Sequence, residues 1–179
     1  MSKELRKTRS MFGKSKDGSD KQPPKPRLYD IVLSTGFGFG FWPWGPGTAG
    51  TFLAVAIWCC YAYVLPSTHT LLLTAVLVVV STLAAVPSIN RVEEFWGSDP
   101  SRVVVDEMAG VWITLLAVPE TKEWYYVLAA FILFRVMDIC KPLGCRWLDR
   151  NIHGGWGVML DDILAGVYGG VVLYCITLL

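Results

Sequence analysis

Residues 70–87 read TLLLTAVLVVVSTLAAVP, eighteen positions without a charged side chain. A helix needs roughly 20 apolar residues to cross the hydrocarbon of a bilayer, so this run sits close to a full span. Four more apolar segments accompany it, at 47–65, 103–119, 124–140 and 158–179, with lengths of 19, 17, 17 and 22 residues. The linkers Pro66–His69 and Glu120–Glu123 are short enough to force antiparallel helical hairpins, and no strand-like alternation persists beyond a few residues. The sequence therefore predicts an all-α, membrane-embedded bundle of about five apolar helices. Gly166 and Gly170, with Ala165 and Gly169, add the small-xxx-small spacing that lets helices approach closely.

Composition supports that class. Of 179 residues, 53% are hydrophobic and only 17% charged, and the mean hydropathy is +0.44. A soluble domain carries about a quarter charged residues. The net charge of +1 conceals an asymmetry: residues 1–30 hold nine of the sixteen Lys/Arg but four of the fifteen Asp/Glu. The folded part is thus acidic, which argues against a nucleic-acid binder with a basic stripe. Five scattered cysteines read as free thiols in apolar surroundings. The only histidines, His69 and His153, complete no zinc pattern. Residues 1–27, rich in Lys, Ser and Pro, lack the apolar core of a signal peptide. They read as a disordered basic cytoplasmic tail, leaving 28–179 as the membrane domain.

Charge also orients the bundle. With the tail inside, segments 1–46, 88–102 and 141–157 are cytoplasmic and carry fourteen Lys/Arg, against Lys122 alone outside. On that topology the carboxylates fall at one level near the inner face: Asp106 and Glu107 opening the third helix, Asp138 near the end of the fourth, Asp149 in the following loop, Asp161 and Asp162 opening the fifth. Ionisable groups embedded in apolar runs are costly, and convergence of several at one depth points to function.

Four motifs carry the chemistry. Gly36-Phe-Gly38-Phe-Gly40 precedes Pro43-Trp-Gly-Pro46-Gly47-Thr48-Ala-Gly50-Thr51, whose helix start at Gly47 and Thr48 offers N–H and hydroxyl donors to a phosphate. Asp106-Glu107-Met-Ala-Gly110 places a small residue one turn from a carboxylate. Arg135-Val-Met-Asp138-Ile-Cys-Lys141-Pro142 stacks charges at a spacing of three. Asp149-Arg150-Asn-Ile-His153-Gly-Gly-Trp-Gly157 leads into Asp161-Asp162. Carboxylates beside Lys and Arg suit Mg²⁺ together with a phosphate ester, because hard oxygens hold the ion and cations hold the anion.

In this order, over about residues 31–175, the four motifs resemble the phosphatidylglycerophosphatase A family. The resemblance implies a bacterial inner-membrane enzyme that hydrolyses phosphatidylglycerophosphate to phosphatidylglycerol with Mg²⁺, its site facing the cytoplasm. The expected metal set is Asp106, Glu107, Asp138, Asp161 and Asp162. The expected catalytic set is Asp106, Asp138, Lys141, Asp149, Arg150 and Asp162, with Gly47, Thr48, Lys141 and Arg150 binding phosphate. An attacking water and an aspartyl-phosphate intermediate are both compatible with these residues. Arg135 and His153 are expected as supporting groups.

Two other readings use the same carboxylates. A phospholipid-forming transferase would need the D-G-x₂-A-R…G-x₃-D-x₃-D pattern, which is missing. A cation transporter would need a path across the bilayer, whereas these groups gather on one side. Cys140 and Arg146 have the C-x₅-R spacing of cysteine phosphatases, but Pro142 interrupts that loop. Pro66-Ser-Thr-His69 lacks the further elements of a histidine phosphatase.

Overall fold

The computed structural model describes residues 25–98, 100–142 and 144–179, with the side chains of 149 and 150 outside the description. The tail expected over 1–27 therefore lies outside the described residues except for its last three. Among the described residues the chain is all-helical, with seven α-helices and no strand. They are α1 (Leu28–Ser34), α2 (Pro46–Ala62), α3 (Ser67–Trp96), α4 (Val105–Leu115), α5 (Trp124–Cys140), α6 (Cys145–Asn151) and α7 (Gly155–Thr177). A 3-10 turn at Phe39–Phe41 joins the first two.

The bundle is organised around α4. Nine of its eleven residues are buried, including Asp106, Met108, Val111 and Trp112. A helix apolar on every side belongs in the centre, and α2, α3, α5 and α7 enclose this one. Its closest neighbour is α7. A β-carbon at Gly166 would collide with the Gly110 carbonyl, and one at Gly110 would come within 2.8 Å of the Phe134 ring. Thr114 Oγ1 donates to Gly166 O at 3.0 Å across the same contact. Close backbone approach here is possible only without side chains.

Helix lengths qualify the five-span expectation. Only α3, with 30 residues, and α7, with 23, are long and apolar enough to cross a membrane. Just 33% and 39% of their most apolar stretches are buried, so most of each faces outward. Helix α2 is apolar but has 17 residues. Helix α4 stops at Leu115, about 16 Å of rise against a roughly 30 Å core. Beyond it Ala117 and Val118 bond back to the residues three before them, and Pro119 disfavours continued α conformation at Val118.

The loop expected at 88–102 is largely helix instead. Helix α3 runs through Pro87 to Trp96 because Ile89 and Val92 keep an apolar stripe that is fully buried. Two short helices, α1 and α6, were not anticipated. Asp30 of α1 is completely buried and accepts from Arg91 Nη1 at 2.7 Å, which fixes α1 on the end of α3. Burial alone would raise the Asp30 carboxyl, but hydrogen bonds from Arg91 and Ser88 and from the Arg27 N–H hold it below the ordinary carboxylate value.

At the opposite end Lys122 caps α2. Its ammonium donates to the carbonyls of Ala62 and, at 2.8 Å, Leu65. Among the described residues, the one Lys or Arg on that side thus satisfies helix-terminal acceptors.

Candidate active site

The chain alternates direction through α2, α3, α4, α5 and α7, so five helix termini meet at one end. They enclose a cavity of about 340 Å³. The start of α2 contributes Gly47 and Thr48, and the start of α4 contributes Asp106 and Glu107. Arg135, Asp138 and Lys141 come from the end of α5; Asp161 and Asp162 come from α7. The structure thus brings together every expected site residue except Asp149 and Arg150, which fall in α6 with side chains outside the described residues.

Asp106, Glu107 and Asp162 form the tightest group. One carboxylate oxygen from each lies within 4.8 Å of the other two. Asp106 Oδ1 and Glu107 Oε2 are buried and accept no hydrogen bond. Such oxygens carry a large desolvation cost and call for a cationic partner. Gly47 is the close wall: a β-carbon there would strike the Glu107 carboxylate and lie 3.3 Å from Arg135 Nη1. The glycine therefore leaves room for charged groups at the α2 terminus.

The remaining charges are paired both within α5 and across elements. Arg135 Nη1 sits 2.7 Å from Asp138 Oδ2, one turn along α5, and 4.0 Å from Glu107 Oε1. Lys141 Nζ donates to Asp161 Oδ2 at 2.7 Å. Lys141 terminates α5 with φ of 43°, a left-handed conformation that ordinarily favours glycine. Pro142 restricts the residue before it from continuing the helix, and the turn aims the Lys141 ammonium at α7.

Sequence reasoning missed five cavity residues: Glu93, Ser98, Pro100, Ser101 and Val103. It also missed Asn90, whose Oδ1 accepts from the Gly155 N–H at 2.6 Å and fixes the start of α7. The signal was the i, i+3 stripe of Ile89 and Val92, which continues α3 past Pro87 and presents Asn90 and Glu93 to the motif loop. Gly36–Gly40, by contrast, does not line the cavity. Its turn packs on residues 102–104, where the Val104 N–H donates to Ser34 O at 2.9 Å.

The cysteine alternative loses its geometry. Arg146 Nη2 donates to the Cys140 carbonyl at 3.1 Å, not to a thiolate cradled in a loop. The Cys140 thiol lies outside the carboxylate cavity. Burial pushes the Cys145 thiol up, away from nucleophilic thiolate character.

The family model described as phosphatidylglycerophosphatase A matches residues 32–177. The chain belongs to the phosphatidylglycerophosphatase A family. As a member it is an enzyme, a phosphatase. Its similarity to a phosphatidylglycerophosphatase A of Escherichia coli is 38% identity over 146 residues, 81% of each chain. The phosphatidylglycerophosphatase A of Haemophilus influenzae is 32% identical over 145 residues, covering 81% of this chain and 86% of that one. A Bacteroides thetaiotaomicron protein described as a putative phosphatidylinositol-3-phosphatase is 54% identical over 150 residues, covering 83% and 94%. No solved structure matches the chain. The cavity gathers residues from each of the four motifs that carry the family resemblance, and the Gly36–Gly40 turn lies outside it.

Proposed function

We propose that this enzyme hydrolyses the terminal phosphomonoester of phosphatidylglycerophosphate, with Mg²⁺, at the cytoplasmic face of a bacterial inner membrane, as a step of phospholipid biosynthesis. The charge balance of the cavity carries the reading. Among the described residues, six carboxyl groups line it (Glu93, Asp106, Glu107, Asp138, Asp161 and Asp162) against Arg135 and Lys141 as fixed cations. A phosphate monoester would be repelled from such a chamber unless further positive charge accompanied it. The unpartnered oxygens of Asp106 and Glu107, with Asp162 beside them, suit a hard divalent cation. Mg²⁺ held there by Asp106, Glu107 and Asp162 would supply Lewis-acid stabilisation of the phosphoryl oxygens.

The protein's own groups supply the rest. The N–H groups at the start of α2 and the Thr48 hydroxyl receive phosphate oxygens, as helix N-termini do. Lys141, positioned by Asp161, neutralises charge that grows as the ester bond breaks. Asp138, oriented by Arg135, takes the proton of the attacking water or is itself the nucleophile. With Asp138 as base, the water oxygen bonds to phosphorus as the phosphorus–glycerol oxygen bond breaks. With Asp138 as nucleophile, its oxygen displaces the glycerol oxygen first, and water then breaks the Asp138–phosphorus bond to release phosphate. In both routes the glycerol oxygen regains a proton. His153 on the cavity wall is suited to deliver it.

The membrane placement rests on the outward apolar surfaces of α3 and α7 and on exposed aromatics at both ends: Trp42, Trp44 and Trp147 beside the chamber, Trp124 and Tyr125 opposite. The distribution of fourteen Lys/Arg to one favours the chamber facing the cytoplasm.

The Bacteroides relative favours a second substrate reading, a phosphoinositide carrying a headgroup phosphomonoester. Phosphate release by purified full-length protein in detergent, with phosphatidylglycerophosphate and phosphatidylinositol 3-phosphate in parallel, separates the two. The first lipid should be the faster by kcat/KM, with activity abolished by EDTA and restored by Mg²⁺. Preference for the phosphoinositide would transfer the assignment to it, and absence of release from both would overturn the lipid-phosphatase reading.

A further inference from the structure

A second cavity, of about 520 Å³, opens beside the catalytic chamber at the end of α5. Arg146, Trp147, Asn151 and Pro142 line it, and Lys141 is the one described residue that lines both cavities. With its ammonium tied to Asp161 in the chamber, Lys141 forms the partition.

The electrostatics of the two cavities differ. Among the described residues, six carboxyl groups line the chamber and none lines the second cavity. Arg146 is exposed, yet its guanidinium is anchored by the hydrogen bond from Nη2 to the Cys140 carbonyl. A guanidinium held in place loses less freedom when it binds an anion. Its planar donor fork matches two phosphate oxygens.

Lipid-facing surface leads directly to this place. Leu128, Ile132, Val136 and Ile139 are all exposed and recur at helical spacing along one face of α5. That stripe ends beside the second cavity, where Trp147, 61% exposed, offers a ring suited to headgroup depth. A substrate with its monoester in the chamber and its acyl chains on the α5 stripe has one group left to place between them. That group is the phosphodiester joining headgroup to diacylglycerol.

We propose that the second cavity binds this inner phosphodiester through Arg146, so that the enzyme reads two phosphates on one lipid, separated by the Lys141 partition. The assignment deepens the lipid-phosphatase reading above and rests on it. It makes the substrate class a lipid whose headgroup bears both a diester and a terminal monoester. Phosphatidic acid, with a monoester directly on diacylglycerol, lacks the group that Arg146 reads.

The test compares phosphatidylglycerophosphate with phosphatidic acid in the same detergent, using full-length wild type, Arg146→Gln and Arg146→Lys. Wild type should favour the two-phosphate lipid. Arg146→Gln should raise KM for it by roughly tenfold or more, the size of a lost charge-assisted hydrogen bond, and reduce the preference ratio accordingly. Arg146→Lys should fall between. Phosphatidylglycerol keeps the diester and lacks the monoester, so it should inhibit wild type competitively and Arg146→Gln at least several-fold more weakly. An unchanged KM and unchanged inhibition in Arg146→Gln, or equal losses on both substrates, would overturn the assignment while leaving the lipid-phosphatase reading intact. A wild type that releases phosphate from neither lipid would overturn both.

Discussion

Lys141 and Asp161 meet at 2.7 Å and tie the end of α5 to the early turns of α7. The pair lies on the chamber wall, with Asp161 at 8% exposure and Lys141 at 31%. Lys141→Met removes a cation from beside a buried carboxylate and from the proposed phosphate site together. Phosphate release should fall by at least ~100-fold, the scale of losing a preorganised charge at the transition state. The thermal midpoint should also drop by a few degrees. Turnover within a few-fold of wild type would remove Lys141 from the mechanism.

Asp106, Glu107 and Asp162 crowd three carboxylates into one buried site, which predicts a conflict between stability and activity. Asp162→Asn keeps the side-chain size and deletes one negative charge. In EDTA the variant should melt a few degrees above wild type, because like-charge repulsion is relieved. With Mg²⁺ the order should reverse, since a ligand bound only by the folded state stabilises it. Activity should fall at least ~100-fold. A midpoint in wild type that ignores Mg²⁺ would argue against this ion site.

Cys140→Ser is the matching control for Asp138→Asn, two residues away. The carboxylate mechanism uses no thiol, and serine preserves the main-chain carbonyl that receives Arg146. Asp138→Asn should lose at least ~100-fold in phosphate release while Cys140→Ser retains most of it. The reverse pattern would demand a thiol-phosphate intermediate.

Which residues would share a cavity was more legible in the sequence than the helix limits were. Asp106, Glu107, Asp138, Lys141, Asp161 and Asp162 stood out because charged groups in apolar runs are conspicuous, and the structure gathers them around one cavity. Asn90 and Glu93 were hidden because Pro87 and the nearby charges read as a helix end. In the structure, burial of Ile89 and Val92 carries α3 past the proline. The length of α4 was equally obscure. An apolar run at 103–119 does not distinguish a full span from eleven helical residues enclosed by other helices. Helix α1 depends on Asp30 meeting Arg91, 61 positions away, a partnership that local periodicity does not encode.

That partnership has a pH signature. Asp30 is held below its ordinary carboxylate value in the folded state. Its contribution is therefore complete above the unfolded value, near 3.8, and is lost as pH falls through the lower folded one. Amide exchange in α1 should accelerate in that acidic window relative to the bundle core. Asp30→Asn should remove the acid-dependent component and exchange faster already at neutral pH. Identical α1 protection in the variant and wild type would show that the ion pair does not hold the helix.

The sharpest test of the packing uses two glycines on α7. Gly166 lies against the Gly110 carbonyl with no space for a methyl group, whereas a β-carbon at Gly170 would meet its nearest neighbour, the Ile113 carbonyl, at an ordinary 3.6 Å. Gly166→Ala must therefore push α7 from α4, at an expected cost of about 1–3 kcal/mol for an overpacked core. Gly170→Ala should be neutral or slightly stabilising, because alanine favours helix. The displacement at Gly166 would also separate Asp162 from Asp106 and Glu107, since all three depend on the α4–α7 contact. Gly166→Ala should thus weaken activation by Mg²⁺ as well as thermal stability, and Gly170→Ala should alter neither by much. Equal tolerance at both positions in detergent melting and phosphate-release assays would contradict the close α4–α7 approach. Loss of stability at Gly166 with unchanged Mg²⁺ dependence would retain the packing but separate it from the geometry of the carboxylate site.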